Sequence, residues 1–146
     1  MGRSVIPGGA VRHPVRMPSL VFDVLPGALA ICRLDAADGV PPWAMGHDGF
    51  WSVTRRADEL SVMCPVDAVP AGVERDAPWR ALAIRGPMNL EIVGVAASFT
   101  APLAAAGIPV MPIATSDTDV VLVHAPDLPA AVAALRGAGF EVVEEG

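Results

Sequence analysis

Apolar and polar positions alternate over short stretches in the first half of this chain and change to a helical period in the second. LVFDVL (20–25) and ALAICRL (28–34) read as two strands. Between them Pro26-Gly27 suits a tight turn, because proline fixes φ and glycine is permissive. GFWSVTR (49–55) sets Trp51 and Val53 against Phe50, Ser52 and Thr54, and ELSVMC (59–64) sets Leu60, Val62 and Cys64 against Glu59, Ser61 and Met63. Period-two patterning on either side of the polar Arg56-Ala57-Asp58 predicts a hairpin. Residues 35–46 read as a loop with a helical turn near 42–45, and 65–72 as one short helix.

The second half is more regular. WRALAIR (79–85) reads as a strand ended by Gly86-Pro87. Ile92, Val95, Phe99, Leu103 and Ala106 form one apolar stripe, which predicts a helix over about 91–106. Pro102 lies inside it and should bend it, since proline removes a helical hydrogen bond. IPVMPIA (108–114) reads as an edge strand, because neither Pro109 nor Pro112 can donate to a ladder. DVVLVH (119–124) is almost wholly apolar and should be central and buried. Asp127 is placed to cap a second helix with the stripe Leu128, Val132, Leu135 and Ala138, closed by Gly139. FEVV (140–143) ends the order as a strand. Strand, helix, strand, strand, helix, strand is the split βαβ, or ferredoxin-like, pattern of an α+β fold. The first half repeats that strand rhythm with its helices shrunken. The chain therefore divides into an arm (1–18), a degenerate first unit (19–78) and a complete second unit (79–146).

Composition narrows the possible roles. With 53 % hydrophobic and 18 % charged residues the chain is globular rather than disordered. A net charge of −6 repels phosphate backbones, so nucleic acid is not an expected partner. All ten cations are arginines, so neither a Schiff-base lysine nor a phosphate-loop lysine is available. No apolar run reaches the roughly 20 residues of a membrane span, and residues 1–18 lack the apolar segment of a secretory signal. They read as a flexible arm, or as upstream sequence if translation starts at Met17. A cytoplasmic protein follows, with Cys32 and Cys64 as packed thiols in apolar strands. His13, His47 and His124 are too dispersed for zinc, and neither cysteine belongs to a CxxC. Asp117 and Asp119 lack the phosphate loop that would argue for magnesium. There is no GxSxG elbow, no tyrosine and no cysteine–histidine signature, so no catalytic group and no cofactor is assigned. Trp43, Trp51 and Trp79 read as core or interface anchors.

The stretch GVAASFTAPLAAAGIPVMPIATSDTDVVLVHAPDLPAAVAALRGAGFEV (94–142) resembles an ACT domain. The resemblance is carried by Gly94 at the start of the first helix, by Ala-Gly-Ile (106–108) at its end, and by Ile113, Thr115, Thr118 and Asp119 in a hairpin feeding a Leu-Val strand. PGALAICRL and FWSVTRRADELSV resemble the first unit of paired-ACT proteins, such as aspartokinase regulatory modules and cytosolic arginine sensors. The resemblance spans about 20–143. It implies two tandem ferredoxin-like ACT units and a non-catalytic regulatory protein that holds an amino acid or related metabolite between units. It also implies a homo-oligomer and a separate regulated protein as partner. Carried onto this chain, one wall of the site would comprise Asn89, Glu91, Val93, Gly94 and Val95, and the other Thr115, Ser116, Asp117 and Asp119. Ser116 stands where the sensors often carry an aromatic, which argues against arginine itself as ligand.

The helix entry and the hairpin also have purely structural explanations. Gly94 permits either close approach of a carboxylate to helix amides or tight packing of the helix on its sheet. The ATSDTD hairpin offers carboxylates for an ammonium group, yet its residue types are ordinary turn formers. Asp119 opens a buried apolar strand, where an unpaired carboxylate is costly, so it requires a partner. His124 reads as structural. A structural or interaction protein with a vestigial pocket is the alternative function.

Overall fold

The computed structural model describes residues 19–144, so the arm (1–18) and His13 lie outside the described residues. The chain runs β1 (Val21–Val24), β2 (Leu29–Leu34), β3 (Ser52–Arg55), β4 (Leu60–Pro65), β5 (Asp76–Ile84), α1 (Val95–Ala105), β6 (Met111–Ala114), β7 (Asp119–His124), α2 (Leu128–Gly137) and β8 (Glu141–Val143). All eight strands join one sheet. β5 begins three residues before the predicted Trp79, at Asp76, and this extension lets it serve both halves. One of its edges pairs antiparallel with β2 (Leu29 opposite Trp79) and then with β1 (Val24 opposite Leu82). Its other edge pairs with β7 from Trp79 to Ala83.

Two ferredoxin-like arrays therefore share β5. The first has the order β3-β4-β2-β5, and the second β6-β7-β5-β1-β8. In the second array β1 is inserted between β5 and β8, antiparallel to the former and parallel to the latter. The segment 19–78 thus does not form a sheet of its own. Its first strand lies in the C-terminal array, and its last residues open the shared strand.

Alternation along the strands sorts the core. Phe22, Val24, Leu82, Ile84, Val121 and Val123 turn towards the helices and meet Phe99, Leu103, Val132 and Leu135. Phe22 is the centre of that cluster, edge-to-face with Phe99 and Phe140 at 5.8 and 5.5 Å between centroids. The intervening residues Trp79, Ala81, Val120 and Leu122 face the other way and pack with Leu29 and Met63. The first array has a core of its own around Cys32, Leu60, Val62 and Cys64. Short 3₁₀ turns at Pro42–Ala44 and Val66–Ala68 cover it in place of helices. The expected short helix in 65–72 is only that turn. Trp43 and Trp51 pack against this core, while Trp79 belongs to the opposite face. Both cysteines are buried free thiols, and burial raises the pKa of each.

Three local expectations change. The helix predicted from residue 91 starts at Val95, because Gly94 has φ +88°, a left-handed conformation outside the helix. Residues 108–110, Pro109 among them, precede β6 rather than forming part of it, although β6 pairs with β7 alone, as the edge position of Pro112 requires. Asp127 makes no side-chain capping bond. A 3₁₀ turn (Ala125–Asp127) runs directly into α2, so Asp127 already has near-helical angles instead of the extended backbone of a capping residue. Gly139, at φ +96°, does end α2: it donates to the Arg136 carbonyl while Phe140 donates to that of Leu135. His124 stacks on Trp79 at 3.8 Å, with Nε2 3.9 Å from Asp76 Oδ1.

Candidate functional site

Where β5 ends, the chain must pass close to the β6–β7 turn before reaching α1. Gly86 makes that approach possible. A Cβ there would lie 2.9 Å from the Asp117 carbonyl oxygen and 3.2 Å from Thr118 Cβ. Two hydrogen bonds fasten the contact: Met88 N–H donates to Asp117 O (2.7 Å) and Thr118 Oγ1 to Ile84 O (2.7 Å). The turn is closed by Thr115, whose N–H donates to Thr118 O at 2.8 Å and whose Oγ1 donates to the same oxygen at 3.0 Å. Residues 89–92 then form a tight bend, with Asn89 Oδ1 accepting from Glu91 N–H and Asn89 O from Ile92 N–H. Gly94 follows and α1 begins.

This routing leaves a cleft of about 340 Å³ between the 88–97 segment and the 114–119 turn. Asn89, Gly94, Val95, Thr115 and Asp119 line it. Glu91, Val93, Ser116 and Asp117 do not; all four are solvent-exposed, and Asp117 contributes its carbonyl to the wall-to-wall bond instead. Lining residues that the sequence reading did not single out as site residues are Met88, Leu90, Ile92, Ala96, Ala97, Ala114 and Thr118. Alternating apolar positions at 88, 90 and 92 were the available signal for the first three. For Gly86 there was only its place after a strand. Every lining residue belongs to the C-terminal array.

Two features of the cleft are chemically unsatisfied. The first hydrogen bond of α1 runs from Ser98 N–H to Gly94 O, so the amides of Val95, Ala96 and Ala97 have no intrahelical acceptor. No acidic side chain occupies that first turn, and the helix end carries about half a positive charge. Across the cleft stands Asp119, half-buried, with no hydrogen bond or ion pair to its carboxylate among the described residues. Together they offer a donor set for an anion and an acceptor for a cation.

The corresponding place in the first array is tied together. Arg55 Nε donates to Ala36 O (3.2 Å) and Arg33 Nη2 to Asp58 O (2.8 Å), joining the β2 exit to the β3–β4 hairpin. A second, open groove of about 420 Å³ is lined by Ile31, Arg33, Glu74, Arg75 and Asp76. Its arginines are already engaged: Arg75 donates to the carbonyls of Val69, Pro70 and Val73, and Arg33 to Asp58. Among the described residues no group of three or more metal-ligating side chains converges. No helix there is long and apolar enough to cross a membrane.

Residues 74–137 match the family model for the ACT domain. A crystal structure of an Agrobacterium tumefaciens protein is 35 % identical, covers 89 % of this chain and 96 % of its own, and superposes with a TM-score of 0.83. The chain belongs to the ACT-domain family. Its ACT match begins in the loop before β5, and a second family model, described as an N-terminal domain, matches residues 27–72. More distant likenesses bear on the ACT fold alone. The ligand-free regulatory subunit of aspartate kinase from Thermus thermophilus is 18 % identical, with 77 % of this chain and 93 % of that one covered and a TM-score of 0.54. Aspartate kinase from Clostridium acetobutylicum is 13 % identical, with 78 % and 33 % covered and a TM-score of 0.59. A search of curated proteins finds no match. The cleft of this ACT protein lies at the start of the first helix of its matched domain.

Proposed function

We propose that this ACT protein is a non-catalytic regulatory sensor holding an amino acid in the cleft between Gly94 and Asp119. One observation carries the reading: three α1 amides without an intrahelical acceptor and the Asp119 carboxylate, unpaired among the described residues, border the same cleft. A zwitterion satisfies both, its carboxylate on the helix amides and its ammonium on Asp119. The aspartate kinase regulatory subunit among the structural likenesses supports a regulatory role. The lining includes no histidine or cysteine and a single carboxylate, which gives no acid–base pair for turnover. All lining comes from one ACT unit, so a second unit facing the opening would belong to another copy of the chain. Binding would shift the population of such assemblies in proportion to its differential affinity, and the output would pass to a separate regulated protein in the cytoplasm.

Thermal-shift measurement with each of the twenty amino acids tests this. At a hundred times its Kd a ligand adds about 2.7 kcal/mol, or roughly 5–10 °C for a chain of this size. Asp119→Asn should abolish the shift while leaving the unliganded midpoint within about 1 °C. A flat response to all twenty would refute sensing. It would favour the alternative, an interaction protein with an unused cleft, for which Leu90 and Val93, each 74 % exposed beside it, would be the contact residues.

A further inference from the structure

The charges along the cleft restrict which amino acid it can take. An α-amino acid brings one carboxylate and one ammonium group, and the α1 amides and Asp119 match these one for one. Nothing is left for a third charge. Asp117 and Glu91, the nearest carboxylates in sequence, lie outside the lining, and no arginine or histidine is part of it. The neutral polar groups are also largely committed. Thr115 Oγ1 donates to Thr118 O, Thr118 Oγ1 to Ile84 O, and Asn89 Oδ1 accepts from Glu91 N–H. The remaining side chains are Met88, Leu90, Ile92, Val95 and three alanines, all apolar. At about 340 Å³ the cleft is also at the small end of ligand sites, which span about 300–1,000 Å³.

We infer that the ligand is an amino acid with an uncharged, aliphatic side chain, seated against Met88, Leu90, Ile92 and the alanines of the cleft. This rests on the amino-acid reading above and specifies its ligand class. A basic side chain would set an ammonium or guanidinium against apolar side chains without a counter-charge, and an acidic one would add a carboxylate near Asp119 with no cation in the lining to offset it. An aliphatic side chain loses nothing of this kind and gains about fourfold in affinity for each methylene removed from water.

Isothermal titration of the intact chain with L-leucine, L-valine, L-methionine, L-lysine, L-arginine and L-glutamate tests the inference. The aliphatic ligands and methionine should bind at least tenfold more tightly than the charged ones. Leu90→Asp adds a carboxylate at an exposed lining position, where the fold tolerates it. It should weaken leucine at least tenfold and narrow the gap to lysine. Equal or tighter binding of a charged ligand overturns the aliphatic assignment while the sensor reading stands, and so does unaltered leucine affinity in Leu90→Asp. Absence of binding by leucine, valine and methionine overturns the aliphatic assignment, and the sensor reading falls with it only if the thermal-shift response to all twenty amino acids is also flat.

Discussion

A methyl group at Gly86 has nowhere to go, because the Asp117 carbonyl and Thr118 already occupy the space where it would point. Gly86→Ala should push the β5 exit away from the β6–β7 turn, break the Met88–Asp117 bond, and cost about 1–3 kcal/mol in urea denaturation. Ligand affinity should fall with it. Unchanged stability would mean that the two walls of the cleft are not held together there. Gly94→Ala acts through the backbone: a left-handed residue with a Cβ costs about 1–2 kcal/mol, and the same denaturation experiment reads it. Gly94 as the helix entry was legible only through the ACT resemblance, because the apolar stripe begins at Ile92 and by itself puts Gly94 inside the helix. Gly86 was legible only as the end of a strand. Its close contact is with residues more than thirty positions away, and no local pattern encodes that. Asp119 was legible as a carboxylate needing a partner, whereas Glu91, Ser116 and Asp117 have the right chemistry but point to solvent, which composition cannot reveal.

Strand β1 is held in the C-terminal array by more than its ladder. Arg85, just beyond β5, donates from Nε and Nη2 to the two carboxylate oxygens of Asp23 at 2.8 Å each. That bidentate bond holds the Asp23 carboxyl below its usual pKa. With the folded pKa depressed, the pair's stabilisation is complete above the ordinary aspartate pKa near 4 and is lost as pH falls through the lower folded value. Its size is small, since both side chains meet solvent. Asp23→Asn should therefore lower the urea midpoint slightly at pH 7 and leave it equal to that of the parent near pH 2. A difference that persists at pH 2 would contradict the assignment. At this scale the alternating strands and both apolar stripes were legible, since periodicity survives without tertiary context. The first turn of the predicted α1 was not, because Ile92 continues the stripe and reaches the core from a bend rather than from the helix.

Sharing β5 makes the two arrays interdependent. A fragment of residues 74–146, which contains the whole ACT match, lacks β1 and so separates β8 from β5. It should show no cooperative unfolding transition by circular dichroism, while the intact chain should unfold in one step. A sharp transition in the fragment would show that the inserted strand is dispensable. The strand–helix order of the second unit was legible, but the insertion was not: Phe22 pairs with Ile84 across more than sixty residues, and a four-residue strand carries no signal about which neighbour it will find. The place of the cleft in the molecule is most directly tested by titrating the intact ¹⁵N-labelled chain with L-leucine and following the backbone amides. Saturable shifts should concentrate at Val95, Ala96, Ala97 and Asp119. Shifts confined to Ile31, Arg33 and Asp76 in the other groove, or a spectrum that does not move at all, would contradict it.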